Sequence, residues 1–347
     1  MKPAPALPPG VLSLHVLPAA HHDRDWDAII CPRAVKERLL GQALLTLMHG
    51  RRLATMATLP HGLIILAGPP GTGKTTLARG LAQVAALALA KQGATTLAEI
   101  NPHAFPSDML GESQRNITRL MQDTIPEVAA RRPFTVVLID EVESFAVRRS
   151  TASFETNPVD VHRATDAVLL GIDQVARQLP CVLFVTTTNF LDAVDEAFQS
   201  RADLVMQFAL PDRETIARIL RHSVEELAVQ WPPLRPLLGE QAQFERIAAV
   251  CKGWNGRQVR KLVLAALAQR LEVARDPGLM SFADLHEAAR KQGGVEWVGA
   301  PAPTARQLFP DVPVELMHDH DPEHGRHSHH GDPDHTHHDE PAAGSSR

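Results

Sequence analysis

The run Gly68-Pro69-Pro70-Gly71-Thr72-Gly73-Lys74-Thr75, followed by Thr76, spaces glycines, a lysine and a hydroxyl as GxxxxGK[ST]. That spacing suits a triphosphate. Glycines let backbone N–H groups turn inward around phosphate oxygens, Lys74 can reach the β- and γ-phosphates, and the Thr75 hydroxyl can ligate Mg2+. A plain glycine-rich turn would explain the letters but not their setting, between an apolar run, GLIILAG, and a helical pattern opening at Lys74.

Two other apolar runs end in polar groups. Phe134–Ile139 stops at Asp140 and Glu141; the first carboxylate can hold the Mg2+ shell and the second can polarise a water for attack on the γ-phosphate. The run from Cys181 ends at Asn189, which can orient that water, although a turn-forming asparagine is the plainer alternative. Arg201, in Ser200-Arg201-Ala202-Asp203, can stabilise charge on a transferring phosphate, its own or a neighbouring subunit's. The alternative is a surface ion pair with Asp203. Arg257 falls in the first turn of a long helix after Gly253-Trp254-Asn255-Gly256, where it can reach across a domain crevice. Arg260 and Lys261 read as a solvated face of that helix.

These residues require a sheet to bring them together. Strands at GLIILAG, Thr96–Ile100, Phe134–Ile139, Cys181–Thr186 and Leu204–Phe208 alternate with helical patterns from Lys74, over Glu112–Arg131 and over Val159–Ala176. The expected fold class is α/β, a P-loop domain with a parallel five-stranded sheet covered on both faces, followed past Pro211 by a small all-α lid domain. The expected division is a short segment over 1–25, the large domain over 26–210, the lid over 211–298, and a disordered linker and tail over 299–347. Within the first segment, Val11–Leu17 reads as a short strand or an anchoring peptide.

Composition limits the function classes. Of 347 residues 44% are hydrophobic, which is ordinary for a folded core. No apolar run reaches the roughly 18 residues of a membrane span, and the Pro/Ala-rich start has no secretory pattern, so a cytoplasmic protein is expected. Cys31, Cys181 and Cys251 are too scattered for a disulfide framework or a thiolate metal site. The net charge of −5 resides in residues 318–347, with seven acidic and two basic side chains. The balanced remainder argues against a nucleic-acid partner. That tail also holds His318, His320, His324, His327, His329, His330, His335, His337 and His338, a composition able to bind Zn2+ or Ni2+ weakly without fixed geometry.

Taken in order, GPPGTGKTT, VVLIDEVES, VTTTN, SRAD and NGRQVRKL, with Trp26-Asp27 upstream, resemble AAA+ ATPases. The segment from Trp26 to Arg270 is most similar to the pachytene-checkpoint/thyroid-receptor-interactor branch, which remodels HORMA-domain proteins. Glu143-Ser144 and the NGRQVRKL run are the most branch-specific pieces.

The resemblance implies ATP with Mg2+, Asp27 beside the nucleotide, and a homo-oligomeric, hexameric ring with ATP between subunits. It makes Arg201 the trans-acting finger, Asn189 the first sensor and Arg257 the second. Met109 and Leu110, in the Ser107–Ser113 segment, fall where the branch grips its protein substrate in a central pore. Met109 stands where the family often has an aromatic, and Leu204 where many members carry a second arginine. The short segment before Trp26 resembles prokaryotic members found beside HORMA proteins and nucleotide second-messenger synthases in antiphage defence. Two other functions stay open: a metal-centre assembly or cofactor-insertion ATPase using the tail, and a nucleotide-switched scaffold or clamp-loader-like module.

Overall fold

A computed structural model of the chain describes residues 7–56, 60–101, 112–144, 146 and 158–291. Among these, six strands form one sheet: β1 (Val11–Leu17), β2 (Leu63–Ala67), β3 (Thr95–Ile100), β4 (Phe134–Ile139), β5 (Val182–Thr188) and β6 (Leu204–Gln207). Their spatial order is β1-β3-β4-β5-β2-β6. The five expected strands are present and parallel. The sheet is nevertheless mixed, because β1 pairs antiparallel with β3. The Val11–Leu17 run is therefore a strand. Its alternation is poor because it is an edge, buried at both ends and partly wet between them.

The inner strands are buried along their whole length because helices cover both faces. In β2, Ile64 and Leu66 face a cluster with Leu39 and Leu47 of α2 (Arg33–Leu53) and Leu77 and Leu81 of α3 (Lys74–Leu89). The short α1 (Asp25–Ala28) precedes them. On the opposite face, Leu63 and Ile65 join Ile117 of α4 (Glu112–Arg119), Ile125 of α5 (Ile125–Ala129) and Val168 and Ile172 of α6 (Pro158–Gln178). Each such side chain, fully removed from water, contributes on the order of 2 kcal/mol. The expected Glu112–Arg131 helix is interrupted by a π turn over Leu120–Thr124, immediately before Pro126. Proline's missing N–H and its ring demand such an adjustment.

After β6, and the four-residue α7 (Glu196–Gln199) that precedes it, the chain is helical: α8 (Arg213–Gln230), α9 (Gln241–Val250), α10 (Gly256–Leu267), α11 (Leu271–Arg275) and α12 (Phe282–Lys291). Leu220, Phe244, Leu262 and Leu285 are fully buried in their common core. The long helix expected from Gly256 stops at Leu267. Arg270 is extended (φ −133°) and holds Asp284 with two bonds of 2.7 and 3.0 Å. A buried carboxylate thus ends a helix whose apolar periodicity alone would have continued.

Candidate functional site

The sheet register delivers the motif residues to one line. Ala67 at the end of β2 is level with Thr188 of β5, and Ile139 at the end of β4 with Thr186. Gly68, Asp140, Glu141 and Asn189 therefore all emerge at the carboxyl ends of adjacent strands, where open parallel sheets form their ligand crevice.

The loop after β2 needs its glycines. Gly71 and Gly73 have φ of 78° and 91°, and a Cβ on Gly68 would lie 2.2 Å from the Phe208 carbonyl oxygen. Such backbone angles leave α3 with its first N–H groups free toward a phosphate, and its dipole adds positive potential there. Thr72 Oγ1 tightens the turn by donating to the Pro69 carbonyl at 2.9 Å. Lys74 is 6% exposed and donates to Gly68 O (2.6 Å), Pro69 O (3.0 Å) and Asn189 Oδ1 (3.0 Å). Burial is the largest influence on its ammonium and lowers its pKa, while the carboxylates of Glu143, Asp140 and Glu141 oppose that shift.

Beside it, Thr75 Oγ1 donates to Asp140 Oδ1 at 2.8 Å, and Thr187 Oγ1 bonds to the same oxygen. A hydroxyl and a carboxylate converging on one spot form a hard oxygen donor set, which fits Mg2+ and triphosphate. Thr75 and Asp140 would hold Mg2+, which when bound would supply positive charge to offset that of the phosphates. Glu141 follows at φ 53°, left-handed for a residue with a Cβ, and its N–H donates to Thr187 Oγ1 at 3.2 Å. That backbone angle costs on the order of 1 kcal/mol and aims the carboxylate out of the strand line, the kind of strain that collects at working sites. Asn189 Nδ2 lies 3.5 Å from Glu141 Oε1.

Two members of the cluster were not legible as site residues. Thr187 sits inside a strand, and Glu143, noted only as a branch marker, accepts the Asn189 N–H at 3.0 Å through Oε1. Glu143 Oε2 and Ser144 Oγ are buried without a partner. Buried polar atoms are rarely left so.

The lid touches the loop directly. Asn255 caps α10 through a reciprocal pair with Gln258, and its side chain occupies the space a Gly71 Cβ would need, 2.6 Å away. The Arg257 N–H donates to Gly71 O at 3.0 Å, its side chain is exposed, and its charge is felt at Lys74. Arg260 is not a free solvated cation: it bonds the Ala28 carbonyl and pairs with Glu226 at 3.2 Å, fastening the lid to the α1 segment. In that segment Asp27 is exposed, while Ile29 packs on Gly73 and the Trp26 backbone on Gly80.

Arg201 is elsewhere. Asp203 N donates to Leu63 O, so Arg201 lies at the amino end of β2, with the whole strand between it and Gly68. Five residues at about 3.3 Å each exceed the reach of its side chain. It does not pair with Asp203, whose carboxylate accepts the backbone N–H groups of His61, Gly62 and Leu63. Arg201 instead grips Asp173 of α6 at 2.7 and 2.9 Å and donates to Ala197 O at 2.9 Å. Its guanidinium is the main reason the Asp173 carboxyl titrates below its ordinary range. Met109, Leu110 and the nine tail histidines lie outside the described residues.

Residues 64–210 match the family described as ATPase family associated with various cellular activities (AAA). CD-NTase-associated protein 6 of Pseudomonas aeruginosa is 42% identical over 285 residues, 82% of this chain and 93% of that protein. The chain belongs to the AAA family, in the pachytene-checkpoint branch. The human pachytene checkpoint protein 2 homolog is 34% identical over 61% of this chain, and the zebrafish homolog 34% over 62%. The matched segment spans about half of those longer proteins, 49% and 51% respectively. The C. elegans PCH-2 structure superposes with a TM-score of 0.64 at 25% identity, covering 82% of this chain and 75% of that one. An E. coli MS115-1 HORMA:CdnC:Trip13 complex includes a chain with the same fold, at a TM-score of 0.66 and 19% identity, covering 86% of this AAA chain and 99% of that chain. No helix among the described residues is long and apolar enough to cross a membrane.

Proposed function

We propose that this AAA protein hydrolyses ATP with Mg2+ in a homohexameric ring and uses the cycle to remodel a HORMA-domain protein in antiphage second-messenger signalling. The supporting observation is the division of the chemistry between two ends of one sheet. Lys74, Thr75, Asp140, Glu141 and Asn189 surround the phosphate loop, whereas Arg201 is a strand's length away. A guanidinium that cannot serve its own loop is useful to the loop of a neighbouring copy.

In this reading Lys74 and the loop N–H groups hold the triphosphate, and Thr75 and Asp140, braced by Thr187, hold the metal. Glu141 takes a proton from the attacking water, which Asn189 keeps in line, and the neighbour's Arg201 stabilises the charge that develops. Arg257 reports the γ-phosphate to the lid, and Met109 and Leu110 grip the substrate. The HORMA partner is favoured by the relationship to CD-NTase-associated protein 6, and by the HORMA:CdnC:Trip13 complex that includes a chain of the same fold.

The Glu141→Gln variant tests the partner. It removes the base while leaving the phosphate contacts, so with ATP it should hold a candidate HORMA-domain protein, and with ADP release it. No ATP-dependent capture of that protein by the variant ring would contradict the assignment.

A further inference from the structure

Far from the phosphate loop in function, though joined to it through α1, three imidazoles converge. His15 of β1 and His21 and His22 of the 3-10 turn Ala20–His22 each offer a ring nitrogen, and these nitrogens all lie within 4.8 Å of one another. Ring centroids are 4.1 Å apart for His21 and His22, 4.9 Å for His15 and His21, and 5.3 Å for His15 and His22. Among the described residues this is the one His/Cys/Asp/Glu group so disposed.

Packing alone does not explain it. His22 is 6% exposed, and its Nδ1 lies 2.7 Å from Asp25 Oδ2. A carboxylate there fixes the proton on Nδ1 and leaves the lone pair on Nε2. That Nε2 is buried with no hydrogen-bond partner. Leaving a buried acceptor bare is unfavourable, and ring stacking does not satisfy it. A carboxylate behind an imidazole whose other nitrogen is bare is the arrangement that orients histidine on a metal.

We propose that His15, His21 and His22 bind a late divalent transition ion, Zn2+ in the first instance, through three neutral imidazole nitrogens. Zn–N bonds of about 2.0–2.1 Å in a tetrahedron set nitrogens roughly 3.4 Å apart. Small rotations of the exposed His21 and half-exposed His15 close the present spacing, while His22 stays fixed by Asp25. Solvent takes the fourth position beside His21. The ion staples β1 to the turn before α1, whose neighbours Trp26 and Ile29 pack on Gly80 and Gly73 of the nucleotide side. It thereby ties the edge strand to the ATP pocket. The donor set of nitrogens suits Zn2+, Co2+, Ni2+ or Cu2+ and not Mg2+.

The test uses the full chain with its nine tail histidines changed to glutamine, stripped of metal by chelator and free of nucleotide. Zn2+ titration calorimetry, and the visible d–d absorption of Co2+ as a four-coordinate probe, count the site and report its geometry. One ion per protomer is expected, with a four-coordinate Co2+ spectrum and a Tm raised by about 5 °C at saturation. His21→Ala, an exposed change that spares the fold, should weaken binding at least tenfold, and Asp25→Asn by about 10-fold through His22 alone. Absence of stoichiometric uptake, or uptake that His21→Ala leaves unchanged, overturns the proposal.

Discussion

Asp140 accepts from two hydroxyls on two different elements, Thr75 at the start of α3 and Thr187 at the end of β5. The Thr187 contact fixes which carboxylate oxygen stays free for a metal. Thr187→Val keeps the shape of a buried side chain while deleting the donor. It should raise the Mg2+ concentration giving half-maximal ATP turnover by about tenfold, the equivalent of one hydrogen bond to a charged group. Turnover at saturating Mg2+ should fall as well, because the same hydroxyl accepts the Glu141 N–H; an unchanged Mg2+ dependence would remove Thr187 from the site. At this scale the sequence was most informative where chemistry demands rare residue types at fixed spacing. Lys74, Thr75, Asp140 and Asn189 were legible for that reason, whereas Thr187 looks like any β-branched strand residue. The ion pair imagined for Arg201 and Asp203 was misplaced: proximity in sequence gave way to the backbone N–H groups at the entry to β2, which needed the Asp203 carboxylate.

Elements were legible where their period was pure. β2, β4 and the first half of β5 are mostly apolar runs because both faces are covered, and they stand where expected. β1 and the end of α10 were obscure because tertiary partners decide them: β3 for the edge strand, Asp284 for the break after Leu267. Asp284 offers a test of that second point. It is 4% exposed, and Arg270, with help from Ser281, holds its pKa down to about 2. A carboxyl depressed in the folded state stabilises fully above its unfolded value near 4 and loses that contribution as pH falls toward 2. Asp284→Asn should therefore destabilise the lid at pH 7 by roughly 2 kcal/mol. The difference from the parent should shrink in melts between about pH 4 and 2. A gap that stays constant across that range would show that Asp284 acts by packing alone.

For the whole molecule, the α/β body and helical lid were legible from the order of patterns, and their meeting point was not. Asn255 and the Arg257 N–H against Gly71, and Arg260 against Ala28, join parts of the chain nearly 200 residues or more apart, and only the folded chain brings them together. The same long-range geometry separates Arg201 from its own phosphate loop, so the account stands or falls on a site completed by a second copy. Mixing two crippled variants measures this directly. On the proposed mechanism Glu141→Gln lacks the base and Arg201→Ala the finger, so each variant alone should lose ATP turnover by about 100-fold or more. Assembled together in equal amounts, about a quarter of the seams would join an intact Glu141 to an intact Arg201 from the neighbour. Turnover per subunit should then rise well above either parent, while the double variant stays inactive in the same assay. A mixture no more active than the average of its parents, or an Arg201→Ala protein that turns over ATP at the parental rate, would contradict the shared site.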